Sequence, residues 1–590
     1  MDRTIPSNVT SFIEGACTGI RAQDQALRTL GSKGTYPKYL VGAGPRELTA
    51  FFEDFARVDL AWVAGHRRAM HEGDGTGPVD DLRPVDPGRV TGPDREELEV
   101  AGRASLEAGH WSVLVFSGGA ATRFFAGADT HPKARELVDR LGYAPPKGLF
   151  PVTPVMGFSF LEMFAAQGLA AGIGSGRMPC LILMTSHLTD DAVRRWARTA
   201  PLWGHPRDCL LILPQAEHPR LDADGDLLAL PDGHLLFTGD GHGGVFRALL
   251  EPGEKGRTMA SRLSDAGVRH LVLHNVDNGA ANGLDEARIG YHIRGNHQLT
   301  LSVVQRTRPD EPVGLVALNG RTGLLECVEY SVCPKELSEA LAPDGNPRFS
   351  LAHICTNLVD LAAVRADLKP TLYTGKEVQV GDRRVASSTW EMLNQDLSRH
   401  LDADRVGVIQ VGRDGFFLPT KSLAGSDSLE STMAALAARD AARLTGAGAR
   451  VHENAHVEID PCLGPGSHPL RGAGVGWRVA RDASVYLGVR HGPDGSLPFT
   501  EGLDVGEAAV FRVSARRPYG SLAFDPDTRA IGEDPPSAGR LSLGRHVSVG
   551  PGVAVDLSVE GDGCLVVPDG TRLERDVTLV VPPGETKTLS

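Results

Sequence analysis

The sequence lacks several features that would place the protein in a special class. No uninterrupted run of about 18 apolar residues occurs, so no membrane-spanning helix is predicted. The opening residues show no basic segment followed by an apolar one, and we therefore expect a cytoplasmic protein. The 8 cysteines are scattered without CxxC spacing, which disfavours a zinc or redox motif and predicts buried, reduced thiols.

The sequence also has fewer basic residues than acidic ones. The chain has 61 Lys and Arg against 74 Asp and Glu, a formal net charge of −13. A phosphate-rich surface would repel such a protein, so neither nucleic acid nor a membrane is an expected partner. Any anionic ligand must instead meet a local basic pocket.

The chain is long enough for several domains. At 590 residues it exceeds the roughly 250 to 300 residues at which a single core stops growing. A hydrophobic fraction of 41% and a charged fraction of 23% are typical of globular proteins. Helical periodicity predicts a helical N-terminal region over 1–110 and a linker helix over 425–450, and between them short buried strands alternate with helices, which predicts an α/β domain over 111–424.

The last part, 451–590, is rich in Gly and Pro and lacks long helical periods. Apolar residues alternate with polar ones from Leu541 to Leu579, broken by turns that contain glycine, which predicts short β-strands. The pattern favours the stacked coils of a left-handed β-helix, but the imperfect repeat is also compatible with a sandwich.

One loop contains the first candidate ligand-binding residues. The apolar run Val113–Phe116 predicts a strand that leads directly into Ser117-Gly118-Gly119-Ala120-Ala121-Thr122-Arg123. Glycines after a strand allow backbone N–H groups to approach an anion, and Arg123 adds a permanent charge suited to phosphate oxygens. By itself the loop suggests anion binding, with an ordinary tight turn as the alternative. It does not fit the GxGxxG pattern of a dinucleotide oxidoreductase.

Further motifs follow this loop in a fixed order. They are Pro145-Pro146-Lys147-Gly148, Ser159-Phe160-Leu161-Glu162, Met184-Thr185-Ser186, Gln215 with Pro219 and Asp224-Gly225, Asp240-Gly241-His242-Gly243-Gly244 with Arg247-Ala248-Leu249, Asn275-Val276-Asp277-Asn278, Glu311-Pro312-Val313-Gly314, Val328-Glu329-Tyr330-Ser331 and Phe417-Leu418-Pro419-Thr420-Lys421. Over roughly residues 45 to 440 this order resembles the UDP-sugar pyrophosphorylase family. The sequence is most similar to the branch of UDP-N-acetylhexosamine and broad-specificity UDP-sugar pyrophosphorylases, although His242 matches the Gly-His-Gly of the UDP-glucose branch.

The resemblance implies both a fold and a reaction. It implies a central mixed, mostly parallel sheet of the sugar-nucleotidyltransferase type, which is GT-A-like and Rossmann-like. It implies that a sugar 1-phosphate attacks the α-phosphorus of a nucleoside triphosphate, with UTP favoured and pyrophosphate released. Because two polyanions must meet, alignment and charge neutralisation are the main tasks of the protein. The expected partners are therefore a nucleoside triphosphate and a sugar or cyclitol phosphate; a homo-oligomer is left open.

The resemblance also assigns roles to residues. The catalytic residues implied are Arg123, Lys147 and Lys421, with Mg²⁺ held by Asp277, a hard oxygen ligand at a strand end. The nucleotide-binding residues implied are Ser117, Gly118, Gly119, Ala120, Thr122, Gln215, Gly241 and His242. The sugar-binding residues implied are Asn278, Glu329 and His353.

Two departures from the family pattern leave the substrate open. The third loop glycine is Ala121, followed after Arg123 by Phe124-Phe125 in place of Leu-Gly, which puts the choice of nucleotide in doubt. The family's Phe-Asn-x-x-Asn-Ile reads Phe349-Ser350-Leu351-Ala352-His353-Ile354, with an imidazole in place of an amide. GTP or another triphosphate with a cyclitol or modified-sugar phosphate is thus an alternative, and a non-catalytic nucleotide-sugar sensor is another.

The loop arginine provides a direct test of the predicted reaction. Arg123→Ala should lower turnover by about two to three orders of magnitude because a charge that stabilises the transferring phosphates is lost. Pyrophosphate release measures turnover, and far-UV circular dichroism checks that the variant is folded. Turnover close to that of the unaltered protein would contradict the role of Arg123.

Overall fold

The structure is a computed structural model that describes residues 42–73, 81–90, 94–119, 124, 131–200, 205–253, 256–461, 475–489, 502–516, 524–531 and 540–589. The chain divides into two compact units. The first unit contains the residues up to Asp81 together with Pro214–Pro252 and Arg365–His400. The second contains Leu82–Leu213, Gly253–Val364 and the residues from Leu401 onward. The domain boundaries predicted from the sequence remain predictions.

Helices and strands alternate through most of the described chain. The helices are α1 Pro45–Phe55, α2 Leu60–Glu72, α3 Asp94–Glu107, α4 Pro132–Leu141, α5 Phe160–Ser175, α6 Asp190–Thr199, α7 Gly244–Leu250, α8 Met259–Asp265, α9 Glu286–Arg294, α10 Lys335–Ser338, α11 Arg413–Phe416 and α12 Leu429–Gly446. None of these described helices is long and apolar enough to cross a membrane.

The strands fall into an earlier and a later group. The earlier strands are β1 Leu82–Arg83, β2 Gly88–Arg89, β3 Trp111–Phe116, β4 Leu181–Thr185, β5 Leu210–Pro214, β6 Glu217–Pro219, β7 Leu221–Asp222, β8 Phe237–Gly239, β9 His270–Asn275, β10 Leu299–Gln305, β11 Gly314–Asn319, β12 Leu325–Val328, β13 Leu351–Asp360, β14 Thr371–Val380, β15 Arg383–Glu391 and β16 Val406–Gln410. The later strands are β17 Arg450–Val451, β18 His456–Ile459, β19 Arg478–Val479, β20 Ser484–Val489, β21 Leu503–Val505, β22 Val510–Arg516, β23 Arg540–Leu543, β24 Val547–Val549, β25 Ala554–Glu560, β26 Cys564–Val567, β27 Arg572–Leu573, β28 Val577–Val581 and β29 Thr586–Thr588.

A central mixed sheet organises the second unit. Its strand order is β2-β16-β10-β13-β9-β3-β4-β5, and β11, β12 and β1 extend it from β13. Strands β9, β3 and β4 are parallel, whereas β13 runs antiparallel between β9 and β10. Every residue of β3 is buried, because helices cover both faces of such a sheet. The predicted mixed α/β class is therefore confirmed.

The sheet brings the carboxyl ends of three strands to one edge. Phe116 at the end of β3 pairs with Asn275 at the end of β9 and with Met184 near the end of β4. The motif residues that follow these strands therefore start at neighbouring points, as is general for ligand sites in open α/β sheets.

A capping box fixes the segment that contains Lys147. Ser159 is the N-cap of α5, where its hydroxyl accepts the N–H of Glu162 and its own N–H is donated to the Glu162 carboxylate. This arrangement satisfies donors that a helix start leaves unpaired. Leu161 then packs against Gly148, where an added Cβ would lie 3.1 Å from Leu161 Cγ. The Ser-x-Leu-Glu motif thus has a structural role next to the lysine.

The β-rich part, within the second unit, consists of three parallel sheets. Their strand orders are β17-β19-β21-β24-β27, β18-β20-β22-β25-β28 and β23-β26-β29. Each strand pairs in parallel with one from a later turn of the chain, and alternate residues of β25 are buried. The predicted period-two alternation is confirmed.

Two buried charged side chains connect this β-rich part to the α/β part. The carboxylate of Glu458 on β18 accepts the N–H groups of Val155 and Met156 at 2.7 and 2.8 Å, and burial raises its pKa to about 7. Arg529 donates to the carbonyls of Ala266, Met178 and Gly109. Because an unpaired buried charge is costly, these contacts fix the two parts in one arrangement.

The first unit has its own core. Helix α1 buries Phe51, Phe52 and Phe55 against Leu221 and Leu235. The hairpin β14–β15 pairs antiparallel and adds β7 at its edge. The Gly-rich segment that begins at Asp240 belongs to the same unit.

Helices α3 and α9 pack so closely that glycine is required at their contact. A Cβ at Gly102 would overlap the Glu286 backbone, and one at Gly290 would overlap the carbonyl of Leu98. Gly102→Ala and Gly290→Ala should each lower the free energy of unfolding by about 1–3 kcal/mol through overpacking. Urea unfolding followed by circular dichroism measures the change.

Gly174 in α5 is the matched control, because nothing lies within 4 Å of an added Cβ there. Gly174→Ala should stabilise the protein by about 0.5–1 kcal/mol, since alanine costs less backbone entropy in a helix. Equal effects at Gly102 and Gly174 would contradict the described helix contact.

Candidate active site

The predicted phosphate loop begins at the carboxyl edge of the central sheet. Ser117 donates both its N–H and its hydroxyl to the carbonyl of Met184, at 2.9 and 2.8 Å. Ser186 donates its hydroxyl to the carbonyl of Gly118 at 2.6 Å. Gly119 is exposed, with open space where a side chain would lie. The Ser117 hydroxyl therefore anchors the loop, and Gly119 is the described residue that is open to a ligand.

Three of the predicted loop residues, Ala120, Thr122 and Arg123, lie outside the described residues, as does Ala121. Phe124 is described and fully buried. Its ring lies edge-on to Phe150, with centroids 5.0 Å apart, and Lys147 Nζ lies 5.4 Å from its centroid. Phe124, which departs from the family pattern, thus packs against the ammonium group of Lys147.

The structure brings Lys147, Asp277 and Lys421 together. Oδ2 of Asp277 accepts from Lys147 Nζ at 3.1 Å and from Lys421 Nζ at 2.8 Å. Lys147 also donates to the carbonyl of Thr420 at 3.0 Å. Along the chain, Asp277 lies 130 positions from Lys147 and 144 positions from Lys421. We call Lys147, Asp277 and Lys421 the charged cluster.

The charged cluster is partly desolvated. The side chains of Asp277 and Lys147 are each 12% exposed, whereas that of Lys421 is 50% exposed. Burial would raise the pKa of Asp277, but Lys421 and Lys147 outweigh it and hold that pKa below its usual value. Asp277 is therefore ionised, and the cluster carries a net positive charge that favours phosphate.

The loops that carry the cluster are held to each other by backbone hydrogen bonds. Thr420 donates its N–H to the carbonyl of Asp277 at 2.9 Å, and Gly279 donates to the carbonyl of Leu418 at 2.9 Å. Thr420 also shares a 2.7 Å hydroxyl contact with Thr432 on α12. The Phe-Leu-Pro-Thr-Lys motif thus presents Lys421 to Asp277 from a rigid support.

Asn278 holds this support together. Its Nδ2 donates to the carbonyl of Phe416 at 2.8 Å, and its Oδ1 accepts the N–H of Leu418 at 2.9 Å and that of Ala280 at 3.3 Å. The side chain is only 2% exposed. Its predicted contact with a sugar stays a prediction, while the contacts observed are with the protein backbone.

The other two predicted sugar-binding residues lie near each other at the edge formed by β11, β12 and β13. His353 on β13 pairs with Gly314 on β11. A Cβ at Gly314 would lie 3.2 Å from Oε1 of Glu329, which follows β12. Strand β13 is antiparallel to β9, with Asn357 opposite Leu273, so His353 lies toward the end of β9 that leads to Asp277.

In the first unit, the predicted nucleotide-binding residues form a separate group. The Gln215 amide lies against Gly239, where it fills the space of the missing side chain. Nδ1 of His242 accepts from the backbone N–H and the side-chain amide of Asn394, at 3.1 and 2.7 Å. Nδ1 is therefore unprotonated, and the neutral ring carries its hydrogen on Nε2.

The glycines around His242 have a packing role. Gly241 has a φ of +86°, and a Cβ there would overlap the carbonyl of Met392. A Cβ at Gly244 would overlap the carboxylate of Asp240, whose pKa is raised to about 7 by burial in spite of Arg247. Gly241 and Gly244 must be glycines because the backbone at Met392 and the side chain of Asp240 occupy the space that a Cβ atom would need.

Sequence reasoning missed two supporting amides, Asn394 and Asn357. Asn394 lies 152 positions from the histidine that it contacts. Asn357 contacts His353 only because β13 is irregular between them. Neither has a signal in the sequence, because the first contact joins distant segments and the second depends on an irregular strand.

The hydrogen bonding of Asp277 is compatible with a role as a metal ligand. Among the described residues no group of three or more His, Cys, Asp or Glu could hold an ion. Oδ1 of Asp277 has no hydrogen-bond partner in the described part of the chain, whereas Oδ2 binds both lysines. Mg²⁺ is commonly held by one or two carboxylates together with substrate phosphates, and a single free carboxylate oxygen suits that arrangement.

Comparisons with known proteins show which enzymes the chain is similar to. The family described as UTP–glucose-1-phosphate uridylyltransferase matches residues 136–366. The chain is 26% identical over 408 residues to UDP-N-acetylglucosamine diphosphorylase 1 of Arabidopsis thaliana, covering 65% of this chain and 75% of that protein. It is 25% identical to UDP-N-acetylglucosamine pyrophosphorylase of Saccharomyces cerevisiae, covering 61% and 76%.

A solved structure has the same fold. The uridine diphosphate N-acetylglucosamine pyrophosphorylase of Trypanosoma brucei superposes with a TM-score of 0.60 at 22% identity, covering 79% of this chain and 95% of that one. The fold, the site and these matches define a nucleotidyltransferase-class enzyme. More particularly, the chain is similar to UDP-sugar pyrophosphorylases, the family that its ordered motifs resemble.

The charged cluster generates a stability prediction. Asp277→Asn should lower the free energy of unfolding by about 3 kcal/mol at pH 7, because the nearly buried Lys147 loses its counter-charge. A carboxylate with a lowered folded-state pKa contributes stability above its unfolded pKa of about 3.9 and loses it as the pH falls below that value. The difference between the two proteins should therefore be constant from pH 8 to pH 5 and shrink below about pH 4. Urea unfolding across this range tests it, and a difference that shrinks near pH 6 would contradict the assignment.

Proposed function

We propose that the protein transfers a nucleoside monophosphate from a nucleoside triphosphate, with UTP favoured, to a sugar 1-phosphate. A phosphate oxygen of the acceptor forms a bond to the α-phosphorus. The bond from that phosphorus to the bridging oxygen breaks, and pyrophosphate leaves. The products are a nucleoside diphosphate sugar and pyrophosphate.

The charged cluster is the observation that carries this proposal. A nucleoside triphosphate and a sugar phosphate repel each other, so the reaction needs fixed cations where negative charge develops. Lys147 is positioned by Gly148 and by the carbonyl of Thr420, and Lys421 reaches the same carboxylate from another loop. Because the protein holds both ammonium groups in place before substrate binds, little reorganisation is needed during transfer.

The remaining roles are part of the same proposal. Lys147, Lys421 and Arg123 neutralise phosphate charge. Ser117, Gly118, Gly119, Ala120 and Thr122 form the loop around the triphosphate. Gln215, Gly241 and His242 contact the nucleotide, and Asn278 supports the loops while Glu329 and His353 contact the acceptor. When bound by Asp277, Mg²⁺ would supply further positive charge at the phosphates.

The finer points of architecture belong to this proposal as well. We assign the catalytic domain to 111–424, the linker helix to 425–450 and the last domain to 451–590, and we propose a GT-A-like arrangement of the catalytic sheet. We propose that the three parallel sheets at the C-terminus are the faces of a left-handed β-helix, and that the protein acts in the cytoplasm. A sensor without catalysis would have no use for charges that act only in the transition state, and the charged cluster retains them.

The proposed reaction is tested by pyrophosphate release from UTP, GTP and other triphosphates, each combined with sugar and cyclitol 1-phosphates. Lys147→Met should lower kcat by about 10²- to 10³-fold with the best pair, because a charge aimed at the transition state is lost. Lys587→Met is the matched control, since Lys587 is 41% exposed on β29 and pairs with Glu585. Equal activity of the two variants would refute the role of Lys147, and silence of the unaltered protein with all pairs would refute the reaction.

The metal assignment has its own test. Asp277→Ala should remove the stimulation by Mg²⁺ together with activity, because the free carboxylate oxygen is lost. Mg²⁺ titration of pyrophosphate release, with and without the substitution, measures this. A variant that is still stimulated by the same Mg²⁺ concentrations would show that Asp277 does not hold the ion.

A further inference from the structure

A short loop connects the turn that contains Lys147 with helix α5. Phe150, the residue that follows this turn, donates its N–H to the carbonyl of Lys147 at 2.9 Å. The loop is closed at its base, where Pro151 forms a bridge with Ser159, the N-cap of α5. We call residues 151–158 the connecting loop. Because this loop starts directly after Phe150, its position affects the position of Lys147.

The tip of the connecting loop is held by a residue of the β-rich part. Oε2 of Glu458 on β18 accepts the N–H groups of Val155 and Met156 at 2.7 and 2.8 Å. Among the described residues no backbone carbonyl accepts from either of these N–H groups. A backbone N–H that loses water needs another acceptor, and Glu458 is the acceptor for both.

An aromatic contact joins the same two segments. Phe158, at the end of the connecting loop, lies edge-on to Tyr486 on β20, with ring centroids 6.0 Å apart. Tyr486 is the partner of Glu458 in the parallel pair of β18 and β20. The connecting loop therefore meets the β-rich part at two neighbouring positions, one polar and one apolar.

The Glu458 carboxylate is deeply buried and incompletely paired. Glu458 is 2% exposed, and its Oε1 has no hydrogen-bond partner in the described part of the chain. Burial raises the pKa of Glu458 to about 7, although the N–H groups of Met156 and Val155 and the hydroxyl of Thr153 favour the ionised form. Asp460, which follows β18, adds to the increase.

The charged groups around Glu458 are few. The connecting loop contains no titratable residue, so the groups to consider lie on β18, β20, α12 and α5. They are His456, exposed at the start of β18; Asp460, which accepts from the hydroxyl of Tyr486; Asp440, which accepts the N–H of Ile459 and pairs with Arg439 and Arg443; and Glu162, which accepts the N–H of Ser159.

The charge of Glu458 determines how strongly the connecting loop is held. An ionised carboxylate accepts hydrogen bonds about twice as strongly as a neutral group does. Burial is unfavourable for the ionised form, and the N–H groups of Val155 and Met156 offset part of that cost only while the loop is in place. Ionisation of Glu458 and ordering of the loop are therefore coupled.

We propose that Glu458 is a positioning residue for Lys147, and that it holds the connecting loop firmly only in its ionised form. This inference rests on the proposed function. The β-rich part thereby supports Lys147 from a segment remote in sequence, since Glu458 lies 303 positions from Val155. A looser loop should lower kcat more than it raises KM, because Lys147 acts on charge that develops in the transition state.

The first test compares pH profiles of pyrophosphate release by the full-length protein. The unaltered protein should lose kcat as the pH falls through about 7. Glu458→Gln keeps the shape and one oxygen acceptor but cannot ionise, so its kcat at pH 8 should be about threefold to tenfold lower, with KM for the triphosphate changed by less than about twofold. Near pH 6 the two proteins should have equal kcat.

Glu560→Gln is the matched control, because Glu560 is an exposed carboxylate at the end of β25 in the same β-rich part. This variant should keep the profile of the unaltered protein. Phosphate groups of the substrates titrate equally in all three proteins, so a difference between profiles isolates Glu458. If Glu458→Gln has the same acidic limb and the same kcat as the unaltered protein, Glu458 does not position Lys147.

The second test needs no catalysis. Hydrogen exchange of a peptide that covers the connecting loop, measured by mass spectrometry at pH 8, should be about threefold to tenfold faster in Glu458→Gln than in the unaltered protein. A peptide from β25 should exchange equally in both. Equal exchange of the connecting loop would overturn the inference.

The unaltered protein provides a check that does not depend on the variant. After correction for the intrinsic effect of pH, protection of the connecting loop relative to β25 should fall between pH 8 and pH 6. If Glu458→Gln does not fold, this measurement decides alone, and protection that is independent of pH would overturn the inference. Absence of pyrophosphate release with every substrate pair would refute the proposed function, whereas exchange would still decide whether Glu458 holds the loop.

Discussion

A single carboxylate held between two lysines is the constraint on which the site depends. Oδ2 of Asp277 binds both Lys147 and Lys421, and the desolvated carboxylate stays ionised only because these cations compensate for burial. The three residues come from distant segments, so the loops that carry them must keep their places. Much of the neighbouring structure has this effect: the capping box of α5, the glycine beside Leu161 and the backbone bonds of Thr420 all restrict the lysines.

The observed contacts of several motif residues are with other parts of the protein, and these contacts stabilise the fold. Ser117 anchors its loop to β4, Asn278 ties two loops together, and Gly241 makes room for the 392 segment. These roles are compatible with a functional motif, because a catalytic charge is effective only if its supporting loops are rigid. The residues left open toward a ligand are fewer, and Gly119 is one of them.

The surroundings of His353 depend on the local form of strand β13. The sequence already indicated that an imidazole replaces an amide, but its hydrogen-bonding character depends on Asn357 and on the bulge at Cys355. The same histidine in a regular strand would be free to donate or to accept. A local irregularity of the backbone therefore brings Asn357 to His353.

The sequence by itself determined the mixed α/β class, the buried strands, the alternating C-terminal strands and the likeness to UDP-sugar pyrophosphorylases, because periodicity and motif order are local and survive without coordinates. It also named Lys147, Asp277 and Lys421, although only through resemblance. Only the tertiary structure decided that these three share one carboxylate oxygen, that the Phe124 ring packs against Lys147, and that Asn394 and Asn357 contact two histidines. Such contacts join segments that are far apart along the chain or separated by a bulge, and neither arrangement leaves a periodic signal in the sequence.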